Sequence, residues 1–335
     1  MTNRYDLVIV GAGPAGLACA TYAKKSGLSS LVLEKGCLVN SIYNYPESMT
    51  FFTTAELLEI GDVPFIVHAE KPKRVDALKY YRRVTQEYSM SVRDFEEVTS
   101  ITGKDMDFTV STVDRFEHEH TYSGRKVVIA TGYFDNPNLL GIPGEDLAKV
   151  SHYYTDPHPY YGKKVAVIGG KNSAAIAALE LFRNGAEVTL IHRGEAMGRE
   201  VKYWIRPDIE NRIKNGEIET CFRSNVVEIR EKEIDVATPE GDLKLENDFV
   251  FALTGYHPDS GFLAKVGIEV DPDTYVPSHN PSTLETNVKG VYLAGSIISG
   301  RMTNRIFIEN GRFHGGQIVP DIVAALERIN SRTGR

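Results

Sequence analysis

The residues with most chemical content stand near the N-terminus. Gly11-Ala12-Gly13-Pro14-Ala15-Gly16 follows the apolar run Leu7-Val8-Ile9-Val10 and precedes an apolar-periodic stretch. A short continuous apolar run suits a parallel strand buried on both faces. Glycine permits a tight turn at 11, close backbone approach to a pyrophosphate at 13, and close helix-on-strand packing at 16. A helix over about Ala15 to Ser26 would point its free N–H groups at phosphates. Gly27 stands where its C-cap belongs. The next strand, Ser29 to Leu33, ends at Glu34, 18 positions after Gly16. A carboxylate there binds ribose hydroxyls, which favours FAD or NAD(H) over NADP(H). Gly11, Gly13, Pro14, Ala15, Gly16, Glu34 and Lys35 are the candidate contacts.

The pattern recurs. Lys164 to Ile168 reads as a buried strand, then Gly169-Gly170-Lys171-Asn172-Ser173-Ala174 opens a helix that runs to Asn184. Lys171 takes the place of the usual second glycine, where its side chain either obstructs a pyrophosphate or binds it. The following strand, Glu187 to Ile191, ends in His192-Arg193 instead of an acid. An arginine there can hold a 2′-phosphate, with Arg199 assisting, so this second site reads as one for NADPH. The alternative is that Arg193 is a solvated surface charge.

Cys19, Cys37 and Cys221 are widely spaced and include no Cys-x-x-Cys. Neither a metal site nor a redox dithiol is expected from them. Free thiols suit a reducing cytosol. Cys19 falls in the first helix and reads as packing, whereas Cys37 lies near the expected cofactor.

The positioning elements are those of an α/β protein with two Rossmann-type dinucleotide-binding domains. Further along, Asp76 to Tyr88 reads as a helix, and Phe108–Val113, Glu119–Tyr122 and Lys126–Ala130 as strands. A C-terminal helix is expected from about Arg305. The length of 335 residues supports two domains. A net charge of -7 without a long basic run argues against nucleic acid and anionic membranes as partners. No apolar stretch is long enough for a membrane span, no signal peptide precedes the first strand, and a cytoplasmic location is expected.

Three further segments carry a resemblance: Ala130-Thr131-Gly132, Thr254-Gly255-Tyr256-His257-Pro258-Asp259 and Gly290-Val291-Tyr292-Leu293-Ala294-Gly295. With the two glycine loops, their order resembles the two-dinucleotide-binding flavoproteins of the low-molecular-weight thioredoxin reductase group. That implies an FAD domain over 1–133 and 256–335, with an NADPH domain over 134–255 inserted into it. It also implies a homodimer or higher homo-oligomer. Counting back from the second glycine loop puts His152 and Thr155 where those reductases carry their Cys-x-x-Cys. Without that dithiol, electrons have no protein disulfide to pass through. Ser296 stands where the superfamily has an aspartate on the FAD ribityl chain, and it hydrogen-bonds without charge.

Closer likeness lies in Gly36 to Pro46, Met49 to Phe52, Gly61 to Phe65, the loop 169–174 and Ile308 to Gly316. These resemble the bacillithiol-disulfide reductase family, and Lys171 is part of that family's pattern. The resemblance implies NADPH-dependent reduction of the disulfide of a low-molecular-weight thiol in a bacterial cytosol. Some members carry a cysteine just before the third glycine of the first loop, where this chain has Ala15. The resemblance also implies FAD contacts from Asn40, Tyr43, Thr131, Gly132, Gly295, Ser296, Arg305 and Ile306, the last two at a helix N-terminus facing the flavin. His152 and His314 are candidate acids, or else hydrogen-bonding structural histidines. Arg301, Arg305 and Arg312 are candidates for attracting an anionic substrate, or else surface charges. A ferredoxin–NADP reductase of the same architecture, acting on an iron–sulfur partner, is the alternative function.

Overall fold

The structure, a computed structural model, describes residues 4–333. The chain forms two compact units, Met1–Asn136 with Tyr256–Arg335, and Pro137–Gly255.

The first unit opens with β1 (Arg4–Val10), α1 (Pro14–Lys25) and β2 (Ser30–Leu33), with β2 parallel to β1. Pro14 fits the first turn of α1 because its missing N–H has no intrahelical partner there. Lys24 and Lys25 sit at the negative C-terminal end, and Gly27 follows at a φ of +72°. Next come α2 (Asn40–Tyr43), α3 (Arg74–Glu87), β3 (Val92–Arg93), β4 (Glu96–Lys104), β5 (Asp107–Asp114) and β6 (Glu119–Ile129). The main sheet runs β3-β2-β1-β6-β5-β4. Leu7 and Ile9 pack into one layer with Leu17 and Ala20 of α1, while Val8 and Val10 face a second layer with Val110 and Leu263. Burial on both faces is why β1 is apolar without alternation.

β6 differs from the sequence expectation of two strands. It is one continuous strand whose first half pairs antiparallel with β5 and whose second half pairs parallel with β1. Gly124 lies where the change occurs, and a Cβ there would come within 2.8 Å of Val8 Cγ2. Its glycine marks close approach between strands, not a break.

The second unit holds β7 (Val150–Ser151), β8 (Lys164–Ile168), α4 (Asn172–Arg183), β9 (Glu187–His192), α5 (Arg206–Lys214) and β10 (Glu219–Phe222). β11 (Asn225–Ile229), β12 (Glu233–Thr238), β13 (Gly241–Glu246) and β14 (Phe249–Ala252) complete it. A parallel sheet runs β10-β9-β8-β14-β7, beside an antiparallel β11-β12-β13 sheet. Ile234 and Val236 of the small sheet share a core with Ala166, Ile191 and Val250 of the large one.

The chain then returns to the first unit through α6 (Ser260–Val266), β15 (Val291–Leu293), α7 (Ile308–Gly311) and α8 (His314–Thr333). β15 pairs with β6, Val291 beside Val127. The C-terminal helix does not begin at Arg305. Residues 305–307 are non-helical, and helix appears as α7, a break at Arg312-Phe313, and α8. Asn310 Oδ1 accepts the Phe307 N–H at 2.8 Å, which fixes the start of α7. α8 lies close on α1: a Cβ at Gly315 would come within 2.6 Å of the Tyr22 ring and 3.0 Å of Cys19 Cα. No described helix is long and apolar enough to cross a membrane.

Candidate functional site

In the first unit, the ends of β1, β6 and β15 meet the N-terminus of α1. Gly11 has a φ of +105°, and a Cβ there would lie 2.5 Å from Ala130 O. A Cβ at Gly16 would strike the Gly11 carbonyl oxygen. Both glycines are therefore demanded by the protein's own backbone. Gly13 differs, since a Cβ there would meet nothing within 4 Å. It caps α1 with extended backbone and leaves open room before the helix N-terminus, as a pyrophosphate requires.

Glu34 closes this loop from β2. Its Oε2 accepts the Ala12 N–H at 2.8 Å and its Oε1 the Gly36 N–H at 2.9 Å. Burial raises its pKa, and the two N–H donors act against that. Each carboxylate oxygen keeps a lone pair for a ribose hydroxyl. Lys35 instead pairs with Asp135 at 3.1 Å. Asn40 begins α2, its side chain folded against Gly36, and its Oδ1 accepts the Cys37 N–H at 3.4 Å. The Tyr43 ring is 54% exposed under the Arg74 guanidinium. Arg74 also donates to the Ile42 and Tyr43 carbonyls.

Thr131 and Gly132 follow β6, and a Cβ at Gly132 would lie 3.4 Å from Ser296 Oγ. Gly295 has a φ of +78°, and a Cβ there would come 2.8 Å from Ala15 Cβ. Ile306 joins the same neighbourhood through Gly311, while Arg305 is exposed. These residues, with the open Gly13 and the half-free carboxylate of Glu34, fit FAD.

His314 has a different place from that of an acid. Its Nδ1 accepts the Gly295 N–H at 2.9 Å, so this nitrogen carries no proton and the ring is neutral. Burial pushes its pKa down to about 4. A buried, unprotonated imidazole bound to backbone holds Gly295 against Ala15; it is not a proton source near neutrality. No sequence pattern joins residues 295 and 314. The second candidate, His152, belongs to the second unit. Its Nε2 lies 3.4 Å from Glu145 Oε1, and Glu145 also accepts the Leu140 and Gly141 N–H groups. Arg312 is likewise committed: its guanidinium donates to Glu56 O and Glu59 O at 2.8 and 2.7 Å. Arg301 stacks on the Tyr275 ring, 4.0 Å from its centroid.

In the second unit, Gly169 has a φ of +150°, and its Cβ would lie 2.6 Å from Leu253 O. Gly170 admits the His192 ring, which a Cβ would strike. Lys171 caps α4 with extended backbone and sends its ammonium to Glu200, 3.3 Å away. Asn172 ties the same segment down, donating to Glu200 O at 3.1 Å and accepting the Lys202 N–H at 2.9 Å. Ser173 follows in the first turn of α4, and Ala174 is buried, its Cβ 3.0 Å from the Cβ position of Gly169. Burial first, and then the Arg193 charge, lower the pKa of His192. His192 thus contributes a neutral packed ring, and Arg193 and Arg199 supply exposed positive charge. Such a loop fits a pyridine dinucleotide.

The thiols stand apart from this chemistry. Cys19 is buried in α1 and pushed up to about 12; burial also raises Cys37 and Cys221. All three are free. None is the low-pKa thiolate of a reactive cysteine.

Residues 8–295 match the family model described as pyridine nucleotide-disulphide oxidoreductase. The chain is 49% identical over 317 residues to the Bacillus subtilis bacilliredoxin reductase Bdr, covering 94% of this chain and 96% of that one. A solved bacillithiol disulfide reductase from Bacillus cereus matches at 45% identity and a TM-score of 0.95, over 96% of this chain and all (100%) of that one. The Staphylococcus aureus counterpart matches at 42% identity and a TM-score of 0.92, over 96% and 99% of the two chains. The protein is an FAD-dependent oxidoreductase with FAD and NADPH as cofactors. The chain belongs to the pyridine nucleotide-disulphide oxidoreductase family, in the branch that holds the bacillithiol disulfide reductases.

Proposed function

We propose that this enzyme uses NADPH to reduce the disulfide of a low-molecular-weight thiol, bacillithiol disulfide first among candidates. The near full-length likeness to enzymes named for that substrate carries the reading. The overall change is NADPH plus a proton plus disulfide, giving NADP⁺ and two thiols. The first unit would hold FAD: α1 and Gly13 at the pyrophosphate, Glu34 at the ribose, and Thr131, Gly132, Gly295 and Ser296 along the opposite wall. Bound there, FAD supplies two-electron transfer between nicotinamide and disulfide. The second unit would hold NADPH: Gly169 to Ala174 at the pyrophosphate, and Arg193 with Arg199 at the 2′-phosphate. His192 keeps Gly170 and Gly194 in place by packing.

The absence of a protein dithiol supports a small acceptor. His152 and Thr155 occupy the relay positions, and Cys19 is buried with a raised pKa. The test is anaerobic. NADPH is added to the yellow holoenzyme, then bacillithiol disulfide, other small disulfides and ferredoxin are offered in turn. Bleaching by NADPH and rapid return of colour with bacillithiol disulfide are expected. Rapid return with ferredoxin alone would transfer the assignment to a ferredoxin–NADP reductase.

A further inference from the structure

The arginines of the second unit fall into two groups. Arg183, Arg206, Arg212 and Arg230 are each paired with carboxylates: Arg183 with Asp208, Arg206 with Glu210 at 2.8 Å, Arg212 with Glu217 at 3.1 Å and Arg230 with Asp235 at 2.6 Å. The others are Arg193, Arg199 and Arg223. Among the described residues, Arg193 and Arg199 have no ion pair or side-chain hydrogen bond. Arg223 has only Glu195 at 3.7 Å, beyond hydrogen-bond distance, with both side chains well exposed.

Arg193 and Arg223 share one edge. β10 lies parallel to β9 with Phe222 opposite His192, so Arg223 leaves its strand beside the point where Arg193 leaves the neighbouring one. Neighbouring strands are about 5 Å apart. Two backbone bonds continue the pairing past the strand ends. The Arg223 N–H donates to Gly194 O at 2.9 Å, and the Ser224 N–H donates to His192 O at 3.2 Å. Arg223 therefore stands against the segment that follows His192.

Its backbone is also unusual. Arg223 has a φ of +53°, in the left-handed region that costs a non-glycine residue energy. Ser224 holds the turn, being buried, with its Oγ donating to Phe222 O at 2.8 Å. The turn sets an arginine at the carboxyl edge of a parallel sheet, where ligands of such sheets bind. Nothing in the glycine-loop motif or the strand-end pair draws attention to residue 223, because β10 joins this edge only through folding.

We propose that Arg223 is a specificity-determining residue for the 2′-phosphate, acting with Arg193 and Arg199 to select NADPH over NADH. This rests on reading the second unit as the NADPH site. A phosphate monoester dianion is the anion that arginines bind through paired, charge-assisted hydrogen bonds. Glu195 moderates the field: it lies on the loop after β9 and offers Arg223 a weak carboxylate until phosphate arrives.

The test uses the full FAD-loaded chain and two probes, 2′,5′-ADP and 5′-AMP, titrated calorimetrically, so that turnover is not the readout. Arg223→Asn removes the charge but keeps a residue tolerant of left-handed backbone. It is expected to weaken 2′,5′-ADP about tenfold and 5′-AMP less than twofold. Arg223→Lys should recover part of the loss. Glu195→Gln should tighten 2′,5′-ADP, a sign that disturbance of the turn would not produce. Equal affinity of parent and Arg223→Asn for 2′,5′-ADP, or equal losses for both probes, would overturn the proposal. Arg193→Ala, run in parallel, tests the underlying reading. A selective loss there without one at Arg223 removes only the present inference, whereas no selective loss at Arg193 removes Arg193 from the site whatever Arg223 does.

Discussion

His314 shows how one side chain ties site geometry to pH. Its Nδ1 must stay unprotonated to accept the Gly295 N–H. Burial lowers its pKa from the ordinary 6.5 to about 4. Between those values the unfolded chain binds a proton that the folded chain does not. Stability is therefore complete above pH 6.5 and falls as pH drops toward 4, by roughly 2 to 3 kcal/mol. Thermal unfolding across that window measures it. His314→Asn keeps an acceptor oxygen that does not titrate, so its slope with pH should be shallower; equal slopes would sink the role. The sequence singled out His314 and left an acid and a hydrogen-bonding structural histidine as alternatives, of which the bond to Gly295 fits the second. A contact between residues 19 positions apart in chain, across a turn and a broken helix, leaves no periodic trace. The place of Glu34 against the glycine loop was readable because strand, loop and acid fall at fixed spacing within one βαβ unit.

At the element scale, glycines that the fold needs separate from one that the fold leaves open. Gly11 and Gly16 are bounded by protein backbone, and Gly13 by open space. Gly11→Ala is expected to destabilise the apoprotein by more than about 2 kcal/mol, through clash and left-handed strain. Gly13→Ala should leave apoprotein stability nearly unchanged while lowering FAD affinity. Denaturant melts of apoprotein with FAD titrations distinguish them, and a Gly13→Ala protein that retained parental FAD affinity would refute the distinction. Gly11 and Gly16 meet backbone where the loop's geometry led the sequence to expect a tight turn and close helix packing. The sequence was less informative where one element serves two partners. β6 read as two strands on either side of Ser123-Gly124-Arg125, yet it runs through them, and a Cβ at Gly124 would come within 2.8 Å of Val8 Cγ2. The break between α7 and α8 was also hidden. Arg312 sits there with its guanidinium drawn to the Glu56 and Glu59 carbonyls, a long-range pull that local propensity does not encode.

At the scale of the molecule, the first unit is assembled from both ends of the chain and the second from one uninterrupted stretch. Ile322 of α8 is fully buried in the layer that also holds Leu17 and Ala18 of α1. Ile322→Asp places a carboxylate there at a cost of several kcal/mol. Loss of flavin and early unfolding of the first unit are expected, with 2′,5′-ADP binding retained by the second. Hydrogen exchange by segment reads both, and concerted loss of protection in both units would contradict the prediction. β15 gives the same architecture a consequence in time. It supplies one of the two parallel neighbours of the β6 segment that leads to Ala130-Thr131-Gly132. A ribosome makes β6 early and β15 only after the whole inserted unit. Domains fold largely as they emerge, so the inserted unit is complete while the first still waits for its last strand and helix. Any pocket framed by the ends of β1, β6 and β15 can close only after the inserted unit has been made.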